Sequence, residues 1–204
     1  MKQLIPELLF KILCDPAPTK AADAAYLYAQ TVENQDSVLE KGAYLFNNGC
    51  AQSIWISDSL AKSGYPGFSI WQEKLINLGV PSNAIVGVPM HEYEILNTYI
   101  EASEAAILAK SKSAQSLIVV SAPFHQLRVF ITTVTALSRE YPQLKAYSQT
   151  GNFLAWSKSV SHSQGELKGT RTDFIYTELD RIELYHRKGF LVSLEEVKNY
   201  LDNR

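Results

Sequence analysis

The chain has 204 residues, enough for one α/β domain whose core needs neither disulfide nor metal support. Its 46% hydrophobic and 20% charged residues are ordinary for a globular protein, and a net charge of −2 with scattered basic residues argues against nucleic acid as a partner. Cys14 and Cys50 are far apart with no metal-type spacing, which predicts two unpaired, buried thiols in a reducing compartment.

Leu4, Ile5, Leu8, Leu9, Ile12 and Leu13 repeat at helical spacing, so the chain opens on an amphipathic helix docked on the domain. Pro6, Glu7 and Lys11 interrupt the apolar run, which does not read as a signal peptide. No segment reaches the roughly twenty apolar residues of a membrane-crossing helix. The expectation is a cytoplasmic protein: residues 1–21 a helix and linker, 22–148 the core, 149–172 a loop or flap, and 173–204 a closing segment and helix.

Strand-like pieces follow at Ala24–Ala29, Ser53–Ser57, Ala84–Val88, Leu117–Val120 and, more weakly, Leu144–Tyr147. Helical patterns lie between them at Asp36–Asn47, Phe68–Leu78, Asn97–Lys110 and Pro123–Arg139. Short apolar runs without strict alternation, separated by helices, predict a parallel sheet covered on both faces. Right-handed crossovers then give a Rossmann-like, doubly wound, mainly parallel five-stranded sheet in the order 3-2-1-4-5. Gly79-Val80-Pro81 supplies a helix stop. Gln149–Thr170 is rich in Ser, Gly, Lys and Asn and reads as the loop. Order resumes at Phe174–Leu184, and Ser193 with Glu196 forms a capping box ahead of a last helix.

Ligands of such sheets bind beyond the carboxyl ends of the strands. Thr31–Gln35, Ser57–Ser63, Met90–Thr98 and Ser121–Arg128 occupy those ends and supply Glu33, Asn34, Gln35, Ser57, Asp58, His91, Asn97, Thr98, Ser121, His125 and Arg128. The Leu117–Val120 strand running through Ser121-Ala122-Pro123 into a helix is the most informative stretch, because a helix N-terminus favours anions. His125 and Arg128 share a face there, and Thr132 and Thr135 extend it. That stripe is either a solvated helix face or part of a site. Ser121 reads as the helix N-cap, and Thr98 with Glu101 as a second capping box. His91 and His125 alone do not complete a ligand set, so no metal is expected. The first turn, Ala29–Asn34, has no glycine, which speaks against NAD and FAD, and no P-loop is present. Trp55 and Trp71 read as core, whereas Trp156 lies in the polar loop, placed to close over a ligand.

The order of these segments resembles the domain of unknown function 218 family, which includes SanA-, ElyC- and YdcF-like proteins. The residues that carry the resemblance are Leu78-Gly79-Val80-Pro81, Asn97-Thr98, Val119–Arg128 with Ser121, His125 and Arg128 at S-x-x-x-H-x-x-R spacing, and Glu178-Leu179-Asp180-Arg181-Ile182 followed by Tyr185. The resemblance spans about Ala22–Gly189 and implies a Rossmann-like domain, a link to envelope biogenesis, S-adenosylmethionine binding in one branch, and Glu178 among the ligand-binding residues. This chain departs from the family at the glycine-free first turn and at Ser57-Asp58-Ser59.

The functional expectation is a small anionic, phosphate-bearing or nucleotide-like ligand at the strand ends, with phosphate-ester transfer or hydrolysis as the chemistry that suits these groups. Arg128 holds the anion, His125 hydrogen-bonds it or moves a proton, and Asn97 and Thr98 position it, with Ser57, Gln35 and Ser121 nearby. S-adenosylmethionine is the main variant. The alternatives are a non-enzymatic interaction or regulatory module with a vestigial pocket, and a Ser/His hydrolase.

Overall fold

The computed structural model describes residues 4–90, 92–162 and 166–204. Five strands, β1 (Ala24–Leu27), β2 (Ile54–Asp58), β3 (Ile85–Pro89), β4 (Ser116–Ser121) and β5 (Lys145–Thr150), form one all-parallel sheet in the order β3-β2-β1-β4-β5. This is the α/β, Rossmann-like, doubly wound order expected from the alternation of apolar runs and helices. The central strand β1 is buried at every position, which is why its sequence runs AAYL without alternation.

Helices α1 (Leu4–Leu13), α2 (Gln35–Asn47), α3 (Phe68–Asn77), α4 (Thr98–Ser111) and α5 (Gln126–Glu140) flank the sheet. α2 packs on α3, β1 and β4, while α4 packs on α5 and α1 reaches α5 and β5. α1 buries Leu8 and Ile12, as its spacing predicts. No helix among the described residues is long and apolar enough to cross a membrane. Cys14 and Cys50 are both free, but Cys14 is exposed and Cys50 only partly covered, so the expectation of buried thiols is corrected.

α5 is buried nearly all round, with Thr132, Thr133 and Thr135 as enclosed as its apolar residues. Their hydroxyls donate to the carbonyls of Arg128, Val129 and Ile131, four residues back, so each finds a partner without water. The polar stripe is therefore not a solvated face.

Residues 149–172 depart from the expected loop. Strand β5 extends to Thr150, and β6 (Ser159–His162) pairs antiparallel with β7 (Leu167–Thr170). The hairpin leads into α6 (Arg171–Arg187), capped by Thr170 and Asp173 in a reciprocal box. Val160 packs with Ala122, Phe124 and Phe174, which fixes the hairpin over the turn after β4. Arg171 secures the other side: its guanidinium donates to the Asn34 side chain and to the carbonyls of Glu33 and Ala155. Alternation in Ser159–His162 was the available strand signal, but four residues between polar stretches were too few to stand out.

The last helix, α7 (Leu194–Asn203), starts at the predicted Ser193–Glu196 capping box. With the segment after α1 it closes the outer edge of β5. Asp15 accepts from the Ser148 N–H at 2.7 Å, and the Tyr200 hydroxyl accepts from the Ala146 N–H at 2.6 Å. Side chains thus take the groups that an edge strand leaves open.

Candidate functional site

β1 pairs with β2 on one side and β4 on the other, so the strand order reverses beyond their carboxyl ends, where open α/β sheets leave a crevice. A cavity of about 100 Å³ lies there. Gln30 and Thr31 line it after β1, Asn97, Thr98 and Glu101 at the start of α4, and His125 and Arg128 after β4. His162 from the hairpin, with Arg181 and Tyr185 from α6, completes the wall.

Behind its wall is a buried carboxylate. Glu178 accepts from Arg128 Nε at 2.5 Å, from Arg128 NH2 and Arg181 NH1 at 3.3 Å each, and pairs with His162 Nε2 at 3.0 Å. Burial is the largest single effect and would raise its pKa, but Arg128 and the other groups around it together outweigh burial and hold the Glu178 carboxyl well below its ordinary value. Arg128 NH1 also donates to Thr98 Oγ1 at 3.0 Å, which ties α5 to the first turn of α4.

His125 stands against this cluster. Burial pushes its imidazole well below the ordinary value; Glu178 opposes that and Arg128 adds to it, so the ring is neutral. Arg128 NH2 lies 2.8 Å from Nε2, and a guanidinium only donates, so Nε2 accepts and the proton sits on Nδ1. Nδ1–H then faces Ser121 Oγ at 3.1 Å, and Gln30 Nε2 donates to the same oxygen at 3.2 Å. Ser121 therefore receives a hydrogen bond from His125 instead of giving up a proton to it. That is the reverse of what an activated serine needs, and it removes the Ser/His hydrolase reading. Nor is Ser121 the N-cap of α5, which is His125.

A second carboxylate lies under the cavity. The spacing of Thr98 and Glu101 predicts a capping box, but the N-cap is Asn97, whose Oδ1 accepts from the Tyr99 and Ile100 N–H groups at 3.0 Å each. Glu101 turns inward. Its Oε1 takes the Ala29 N–H at 2.8 Å and the hydroxyls of Tyr26 and Ser57 at 3.0 Å each, and the residue borders the cavity. Burial is the main cause that pushes its pKa up to about 7, against the lowering effect of those donors and of Arg128.

The sequence-predicted residues divide accordingly. Asn97, Thr98, His125 and Arg128 line the cavity, and Ser121 and Glu178 support it from behind. Ser57 is fully buried beneath Glu101. Gln35 is elsewhere, since its Oε1 accepts from Trp71 Nε1 in the core at 3.0 Å. Trp156 packs near Phe153 and does not border the cavity, so it does not close over the site. His91 lies outside the described residues. Among those described, no group of three or more His, Cys, Asp and Glu is arranged to hold a metal ion.

Gln30, Glu101, His162, Arg181 and Tyr185 are among the site residues that sequence reasoning did not select. Glu178, Arg181 and Tyr185, at i, i+3 and i+7, carried a findable signal, since that spacing places them on one helix face. His162 carried none beyond a four-residue alternation.

Fold and site together define an α/β, Rossmann-like protein with a cationic, carboxylate-braced cavity at the switch point of its sheet. The chain matches no protein-family model, and no curated protein matches it.

Proposed function

We propose that this chain binds a compact anion, the phosphate group of a small ligand, in the cavity beyond β1 and β4. The observation that carries this reading is a charge imbalance. Two guanidinium groups, Arg128 and Arg181, share one carboxylate, Glu178, while His125 is neutral and Glu101 is half protonated near pH 7. An excess of about half a positive charge is left on the wall of the cavity, where a charge-assisted hydrogen bond to phosphate is strong. Arg181 is the more accessible of the two arginines and is the anion's first contact. Thr98 and Asn97 sit beside it at the N-terminus of α4, where the helix dipole adds to the attraction.

If chemistry follows binding, the Glu101 carboxyl is the group to move a proton, since a carboxyl poised near neutral pH serves as acid or base. Phosphate-ester transfer or hydrolysis fits that placement. S-adenosylmethionine, bound through its carboxylate, remains the variant ligand. Relationship to the domain of unknown function 218 family belongs to the same proposal, supported by Ser121, His125 and Arg128 at the shared spacing. So does a cytoplasmic location, supported by the free thiols. The second reading is a non-enzymatic module, as in envelope biogenesis. It is favoured by His125, whose two nitrogens are both engaged.

A thermal-shift titration with inorganic phosphate, sugar phosphates, nucleotides and S-adenosylmethionine tests the proposal, with Arg181→Gln alongside. Stabilisation that grows with phosphate-ligand concentration in the parent and is lost in the variant is the expected result. A flat response to every phosphate would overturn it.

A further inference from the structure

A larger cavity, about 400 Å³, adjoins the first and shares Asn97, Thr98, Arg128 and Tyr185 with it. Its remaining wall differs in character: Tyr99, Arg139, Phe190 and Leu191 line it along with Thr132. The Arg139 guanidinium lies over the Tyr99 ring, 5.4 Å from its centroid, and donates to that hydroxyl at 2.8 Å. On the same cavity wall the Tyr185 and Phe190 ring centroids are 6.3 Å apart, and Phe190 is 57% exposed.

We infer that this outer cavity is the second half of one ligand site, and that it takes a flat, unsaturated ring carried on the phosphate held in the inner cavity. The inference rests on the anion-binding reading above and adds the ligand class: a phosphate monoester of an aromatic or heteroaromatic group. Size supports the division. The inner cavity has room for a few waters or one compact anion, whereas about 400 Å³ is within the range of organic-ligand pockets. Continuity supports it as well, because Asn97, Thr98, Arg128 and Tyr185 border both cavities, so a phosphate in the inner one leaves its ester substituent next to the outer one. The wall supplies what a ring uses: an open aromatic face at Phe190 and a planar guanidinium, already seated on Tyr99, at Arg139. An aliphatic chain would gain only burial and would use neither.

Isothermal titration of the whole chain with inorganic phosphate, phenyl phosphate, 1-naphthyl phosphate and cyclohexyl phosphate tests this, with Phe190→Ala and Arg139→Gln in parallel. Both substituted side chains border the outer cavity alone and not the inner one, so inorganic phosphate reports whether each variant keeps the inner site. The expected result is tightening of about tenfold or more from phosphate to the aryl esters, with cyclohexyl phosphate well behind, and loss of most of that gain in both variants while inorganic phosphate binds as before. Aryl esters no tighter than phosphate, or matched by cyclohexyl phosphate, would overturn the ring site and leave the anion site standing. Failure of every compound, phosphate included, would overturn both.

Discussion

Arg128 Nε lies 2.5 Å from Glu178 Oε2, and neither side chain is more than 8% exposed. The pair joins α5 to α6 and, through Thr98, to α4, so three helices meet on one ion pair. Breaking such a pair on one side strands a buried charge at a cost of about 3–5 kcal/mol. Glu178→Gln is therefore expected to lose about that much in urea denaturation, as it leaves two guanidinium groups without a counter-charge. Arg128→Ala should lose stability too, which makes it a poor test of binding. Arg181, 21% exposed, separates binding from folding better. A loss below about 1 kcal/mol in Glu178→Gln would show that the pair does not brace the fold.

Much of this was readable in the chain, and the rest was not for physical reasons. Strand order follows from apolar runs alternating with helices, because burial on both faces removes the two-residue period. Asn97, Thr98, His125 and Arg128 follow from their place at strand ends. The hairpin residue His162 is different: its position depends on Val160 packing against Phe124 and Phe174, contacts between segments far apart in sequence. Glu101 was misread because a capping box and an inward-facing carboxylate share the same spacing. Which one forms was decided by the buried donors of Tyr26, Ala29 and Ser57, which spacing does not reveal.

Glu101 gives a pH signature. Its pKa rises from 4.5 to about 7 on folding, so the native state holds a proton that the unfolded state has released. Stability from this group is present below pH 4.5 and is lost as pH rises to about 7, a total of about 3 kcal/mol. Glu101→Gln keeps an acceptor for the three donors and never ionises. It is expected to gain stability relative to the parent as pH rises, by up to that amount, in urea titrations between about pH 5 and 8. A constant difference across that range would mean that Glu101 titrates normally.

His125 acts in the opposite direction. Its pKa falls well below 6.5 on folding, so on acidification the unfolded chain takes up a proton that the native ring refuses. Its contribution is complete above pH 6.5 and shrinks below it. Just below pH 6.5 the two groups therefore pull stability in opposite directions. Stability in Glu101→Gln should therefore fall more steeply on acidification than in the parent. In NMR the His125 ring protons are expected to stay unshifted from about pH 8 to about pH 6, where an ordinary histidine titrates. A normal titration curve for that ring would place the proton differently and reopen a base role for Nε2.

Asn97 separates capping from binding. Its Oδ1 satisfies two N–H groups of α4, and the same residue borders both cavities. Aspartate caps a helix as well as asparagine, and its charge is favoured at that terminus. Asn97→Asp should therefore match the parent's stability within about 0.5 kcal/mol. The new carboxylate stands where a phosphate is expected, so affinity for phosphate ligands should fall about tenfold or more, and more at low salt than at high. Asn97→Ala should do the reverse, costing about 1 kcal/mol of stability for the lost cap while sparing anion affinity. Unchanged binding in both variants would show that Asn97 serves α4 alone and that the anion sits farther toward Arg181.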